Sequence, residues 1–190
     1  MNEFINVLIS GLVAAIVTGV LNVWNTNKTI HAQVVSKARH EWIQEVRNLI
    51  SEYISEIEHL KYNINMEYQT NGNKFSLPII NQSNKKFKSL TILKNKIFLH
   101  FGQTKTYRTW YLKKVTKNDE NNIHFNKLVD NVNDNMESYI NLVFELINSR
   151  SVSEKEMDLA YDKVTMDLSL LNGEASNYLK SEWYKTKKMK

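Results

Sequence analysis

The residues from which catalysis is usually built are few in this chain, and their spacing is wrong for the familiar chemistries. His40 and Glu41 open the zinc-protease pattern H-E-x-x-H, in which two imidazoles one helical turn apart hold the metal and the glutamate activates water. Gln44 stands where the second histidine is required. His31, His59, His100 and His124 are scattered singly and read as surface or capping residues rather than ligands. The chain has no cysteine, which removes thiolate chemistry and disulfides and fits a cytoplasmic setting. No glycine-rich phosphate loop, nucleophile elbow or carboxylate pair flanked by cleft aromatics occurs. We therefore expect no enzyme, no metal and no cofactor.

Charge is more informative. Residues 68–118 contain no Asp or Glu but eleven Lys and Arg, among them Lys85, Lys86, Lys88, Lys94, Lys96, Arg108, Lys113 and Lys114. Residues 119–174 hold twelve acids against four bases, and residues 175–190 are basic again. The net charge of +5 therefore conceals a strong internal polarity. Lysines interleaved with Phe87, Phe98, Phe101, Tyr107, Trp110 and Tyr111 are the ingredients of a polyanion surface: cations neutralise phosphates and rings stack on bases. A plainer reading uses the aromatics as the apolar stripe of a helix and pairs the lysines with the acidic third and fourth helices. A third reading is adhesion to anionic lipid, where each surface lysine contributes about 1 kcal/mol.

The N-terminal stretch has chemistry of another kind. From Phe4 to Asn27 no side chain is charged, and Phe4 to Val23 is an apolar run of the length that crosses a bilayer core at about 1.5 Å rise per residue. Glu3 instead of Lys or Arg before the run, and "LNVWN" after it, argue against a cleaved export signal. Trp24 takes the interfacial position, and Lys28, Lys37 and Arg39 follow it. These features predict a single span in the inner (cytoplasmic) membrane, residues 1–27, with the N-terminus outside and residues 28–190 cytoplasmic. A buried helix of a soluble domain is the alternative reading. Asn6, Ser10, Ala14, Thr18 and Asn22 recur every fourth residue, and Gly11, Ala15 and Gly19 do the same beside them. Small residues let helices approach closely in lipid, and amides and hydroxyls hydrogen-bond between them. The pattern predicts self-association, and Asn6, Ser10, Thr18 and Asn22 would line any pore.

The elements that position these groups are helical. Five glycines and one proline in 190 residues suit long helices, and the expected class is all-α: the span followed by a cytosolic antiparallel bundle. Ala38, Trp42, Val46, Leu49, Tyr53, Ile57 and Leu60 form the stripe of a first helix running on from the span to about Tyr68. "TNGNKFSLP" breaks it, and a second helix is expected from Gln82 to His100, with Leu90, Leu93 and Ile97 inward. "QTKTYRTWYLKKVTKND" has no clean period. A third helix is expected over Glu120–Asn148. A fourth begins at "SVSE", with Ser151 capping and Glu154 completing the box, and reaches Trp183, with Gly173 as a point of weakness.

Arg39, Trp42-Ile43 and Arg47, just beyond the span, form an R-x-x-W-I-x-x-x-R segment that resembles small membrane-anchored helical proteins of bacteria and their phages. This likeness covers roughly the first 60 residues. The layout as a whole is similar to membrane effectors of phage-defence systems, including the channel-type effector of the Hailong system. That resemblance implies a protein that permeabilises the membrane in response to a nucleotide or nucleic-acid signal. The expected partners are the membrane, further copies of the chain, a regulatory protein, and a single-stranded nucleic acid or nucleotide. A tethered interaction module and an anchored nucleic-acid binder are the competing readings.

Overall fold

The computed structural model describes residues 2–71, 77–102, 104–108, 114–148 and 152–188. Four helices carry most of this: α1 (Asn2–Asn71), α2 (Leu77–His100), α3 (Glu120–Ile147) and α4 (Glu154–Lys188). Between α2 and α3 lie two short strands, β1 (Thr104–Arg108) and β2 (Lys114–Asn118), paired antiparallel from Thr104 with Asn118 to Arg108 with Lys114. The β-ribbon is an addition to the all-α expectation, and it falls in the stretch that lacked a helical period. Thr104, Thr106, Tyr107, Val115 and Thr116 supply the β-branched and aromatic residues that favour strands.

The helices start and stop where local chemistry dictates, with four departures from expectation, the last being that α4 runs past Trp183 to Lys188. α2 begins five residues before Gln82, placing Pro78 in its first turn, where a missing N–H leaves no intrahelical bond unmade. α1 passes Tyr68 and ends at Asn71. The cap of α4 is Ser153, not Ser151, which lies outside the described residues. Ser153 and Glu156 repeat the same S-x-x-E word two residues later. The Ser153 N–H and hydroxyl donate to Glu156 Oε2 at 2.8 and 2.7 Å, and the Glu156 N–H donates back to Ser153 Oγ at 3.3 Å. These bonds hold the Glu156 carboxyl below its ordinary value. Gly173 does not interrupt α4.

The chain divides into two compact units: residues 1–43 with 181–190, and residues 44–180. The larger unit holds the core. Val46, Ile50, Tyr53, Ile57, Leu60 and Ile64 of α1 are buried, as are Leu90 and Ile97 of α2, Val129, Val132, Met136 and Tyr139 of α3, and Met157, Val164, Leu168 and Leu171 of α4. Fully burying such a side chain contributes about 1.5–3 kcal/mol. Side-chain contacts link the helices within this unit. Glu45 meets His100 and Glu56 meets Lys86, Lys94 meets Asp130 and Phe101 meets Asn126, and Asn122 meets Tyr178 while Asn135 meets Asp167. At the edge of this core Phe101 stacks on Phe125 with ring centroids 4.3 Å apart. Ala38 is exposed rather than part of the stripe, and Trp183 is likewise exposed.

Candidate functional site

Two features stand out, an uncovered apolar helix and a basic face. α1 is long and apolar enough to cross a bilayer, and none of its most apolar 18-residue window is buried. Val13, Ile16, Val17 and Val20 are 53%, 58%, 51% and 64% exposed, and Trp24 is 65% exposed. A soluble domain would cover such a segment with its own core. Ser10, Gly11, Ala15, Thr18, Gly19 and Asn22 are all exposed on it, and a methyl group added at Gly11 or Gly19 would meet nothing within 4 Å. Nothing among the described residues therefore requires those glycines to be small. The side chain of Asn6 lies outside the described residues.

The basic block resolves into two kinds of lysine. Lys86 Nζ lies 3.6 Å from Glu56 Oε2 and 2.8 Å from His59 Nδ1, both on α1. Lys94 Nζ lies 3.1 Å from Asp130 Oδ1 on α3 and 5.6 Å from the centroid of Phe98. Internal pairing thus occurs, with the third helix as expected for Lys94 and with α1 instead of the fourth helix for Lys86. Lys85, Lys88 and Lys96 are exposed and form no ion pair among the described residues. They lie on one side of α2 with Ile92 and Leu99, which are 59% and 85% exposed. The ribbon adds a second concentration of charge. Its register sets Arg108 opposite Lys114 and Lys105 opposite Lys117. Lys113, and the side chains of Arg108 and Lys114, lie outside the described residues.

The R-x-x-W-I-x-x-x-R residues do not converge. Half-buried Arg39 places Nε 3.7 Å from Glu182 Oε2 in the smaller unit. Arg47 is exposed and donates to Gln44 Oε1 at 3.2 Å in the larger one. Trp42 is half-buried and Ile43 fully buried. These contacts account for the segment as packing and local pairing.

Sequence reasoning missed the polar groups inside the core. Lys61 is 2% exposed, with Nζ 2.9 Å from Glu58 Oε2, 2.8 Å from Thr165 Oγ1 and 4.7 Å from the centroid of the Tyr161 ring. The signal was legible, since Lys61 sits four residues after Ile57 and three before Ile64, on the apolar stripe itself. Asn126 and Asn133, seven residues apart on α3, are also buried, and Asn126 Nδ2 donates to the Phe101 carbonyl at 2.9 Å. Their Oδ1 atoms have no hydrogen-bond partner among the described residues. The Tyr53 hydroxyl donates to the Val129 carbonyl at 3.3 Å, and burial pushes the phenols of Tyr53 and Tyr139 well above their ordinary value. They stay neutral throughout the physiological range. Among the described residues no three His, Asp or Glu side chains cluster as a metal site would require.

Comparison of the chain with protein families, with curated proteins and with solved structures finds no match.

Proposed function

We propose that this protein is an oligomeric single-span membrane effector that permeabilises the membrane, as a regulated channel or a membrane-disrupting assembly, and has no enzymatic turnover. In this reading residues 1–27 cross the cytoplasmic membrane with the N-terminus outside, and the domain beyond them is an antiparallel four-helix bundle in the cytoplasm. One observation carries it: α1 has a stretch from Ile9 apolar and long enough to span, and none of that window is buried among the described residues. Its rows of small and polar residues give neighbouring copies a surface on which to pack closely and, through the amide of Asn22, to hydrogen-bond.

The input is a polyanion or a regulatory partner, with single-stranded nucleic acid or a nucleotide as the first ligand to test. Lys85, Lys88 and Lys96, exposed and without an ion pair among the described residues, support it. A role in phage defence rests on the resemblance alone. The second reading, a tethered interaction module, is favoured by Lys86 and Lys94, whose charge is spent on contacts within the fold.

Replacing Phe4 to Val23 with a poly-Leu helix of equal length separates the two readings. An effector loses its ability to dissipate membrane potential in expressing cells, read with a potential-sensitive dye, whereas a tethered module keeps its function. Changing Gly11, Ala15 and Gly19 together to Leu should reduce the oligomer size measured in detergent. An unchanged monomer in both proteins contradicts the oligomeric effector.

A further inference from the structure

Two uncovered stripes in the larger unit carry opposite charge. On α2, Lys85, Lys88, Ile92, Lys96 and Leu99 share one exposed side, and the helix contains no Asp or Glu. On α4, Asp162, Met166, Leu170 and Glu174 form one exposed row at four-residue spacing, with Met166 and Leu170 59% and 50% exposed. Residues 162–174 hold three acids against one base, Lys163. Asp162 and Glu174 form no ion pair among the described residues. We propose that the α2 stripe of one copy docks on the α4 stripe of a second copy, and that this contact, repeated, closes the cytosolic domains into a ring. The inference deepens the oligomeric reading above and rests on it, with its span and its antiparallel bundle.

Charge disfavours the pairing of like stripes, which would set lysine against lysine or acid against acid. In the bundle the two stripes also lie on different sides, because α2 and α4 each contact both α1 and α3. A contact between unlike faces runs head to tail, and among copies anchored in one bilayer its closed form is a ring.

Height along the helices supplies a second, independent argument. Asn122 of α3 donates to the Gly102 carbonyl at 2.7 Å and accepts from the Tyr178 hydroxyl at 2.8 Å, and Phe101 lies edge-on to Tyr178 with ring centroids 5.1 Å apart. Further along α3, Asp130 meets Lys94 and Asn135 meets Asp167. With α2 and α4 running the same way along α3, counting back equally from Phe101 and Tyr178 sets Lys85 level with Asp162. The same count sets Ile92 and Lys96 within one residue of the levels of Leu170 and Glu174. Two units side by side thus present cation to anion and apolar to apolar at matching heights. So small a contact is weak between free domains, and spans in one bilayer supply the local concentration that makes it effective. A polyanion competes with the neighbouring copy for the same lysines, which gives the proposed input a point of action.

The chain has no cysteine, so introduced thiols can read the contact. Leu99 and Asn177 are exposed at nearly equal height, beyond the charged pairs. Full-length protein carrying Leu99→Cys with Asn177→Cys, treated in membranes with a short thiol cross-linker, should give a ladder of dimer, trimer and larger species. Either change alone should leave the monomer. Adding Lys85→Glu, Lys88→Glu and Lys96→Glu should reduce the ladder several-fold, and further adding Asp162→Lys with Glu174→Lys should restore it. Dimers from Leu99→Cys alone, a ladder that survives the triple change, or no restoration by the reversed charges overturns the interface. Loss of the ladder on nuclease treatment makes nucleic acid the bridge and overturns direct docking. Absence of a ladder from a double variant that is still an oligomer in detergent overturns the interface and leaves the effector reading standing, whereas a monomeric wild type in detergent removes both.

Discussion

α1 contains two apolar-rich stretches in opposite environments, and the earlier one, free of charge, is also the richer in apolar residues. From Ile9 to Trp24 every residue is exposed, whereas Ile43, Val46, Ile50, Tyr53, Ile57, Leu60 and Ile64 are at most 4% exposed. The difference lies in the arrangement of the apolar groups. The later stretch repeats them every three or four residues, so one side faces the core and Glu45, Glu52 and Glu56 face water. The earlier stretch is apolar around its circumference, relieved only by small and uncharged polar residues. A single partner helix cannot cover such a surface, but lipid can. If the proposed span is right, one continuous helix changes solvent along its length.

The contrast is broken most directly by cutting side chains in each half. Ile57→Ala should cost about 2–5 kcal/mol in denaturant unfolding of the detergent-solubilised protein, through lost burial and the cavity left behind. Val17→Ala should leave that transition where it was. Val17→Asp should reverse the pattern, disfavouring insertion by about 2.5–3.5 kcal/mol and moving protein out of the membrane fraction without unfolding residues 44–180. Equal destabilisation of the domain by both alanine changes means that the early stretch is core after all.

Lys61 sharpens the comparison, because it is a charge on the buried side of the covered half. Lys61→Ala should destabilise by about 3 kcal/mol, since it leaves Thr165 without this partner and opens space beside Tyr161. Lys61→Met keeps the stem and should cost much less, or stabilise. Thermal unfolding of the two variants side by side reads the difference.

Most of the helical layout was visible in the sequence, because the stripes of α3 and α4 are regular. Phe125, Val132, Met136, Tyr139 and Val143 are buried as their spacing implies, as are Met157, Val164, Leu168 and Leu171. Three things escaped. The ribbon did, since five-residue strands carry little period and Lys105, Lys114 and Lys117 are poor strand formers. So did the start of α4, because "SVSEKE" contains two overlapping capping boxes and composition does not choose between them. The fate of individual lysines did as well: Lys86 and Lys94 find partners on neighbouring helices, while Lys85, Lys88 and Lys96 find none among the described residues. That outcome depends on which way each side of α2 turns, and a block of like charges does not say.

Smaller effects test the remaining local assignments. Ser153→Ala should cost about 1 kcal/mol of stability at neutral pH. Because the folded state lowers the Glu156 carboxyl, the wild-type box contributes at neutral pH and fades as pH falls through the carboxylate range. The variant, lacking the box, should lose less stability on acidification, as followed by helical circular dichroism. Smallest of all, changing Lys85, Lys88 and Lys96 together to Glu should alter stability by no more than about 0.5 kcal/mol. The same change should weaken binding of single-stranded oligonucleotide and flatten its salt dependence, since fewer counterions are released. Unfolding by the triple change contradicts their exposed placement, and unaltered binding contradicts their role.

Planar-bilayer recording of the purified full-length oligomer addresses the central claim directly. Wild type should show discrete conductance, and changing Asn6, Ser10, Thr18 and Asn22 together to Leu should abolish it while leaving insertion intact. A silent wild-type oligomer, or conductance unaffected by the four leucines, contradicts the proposed pore.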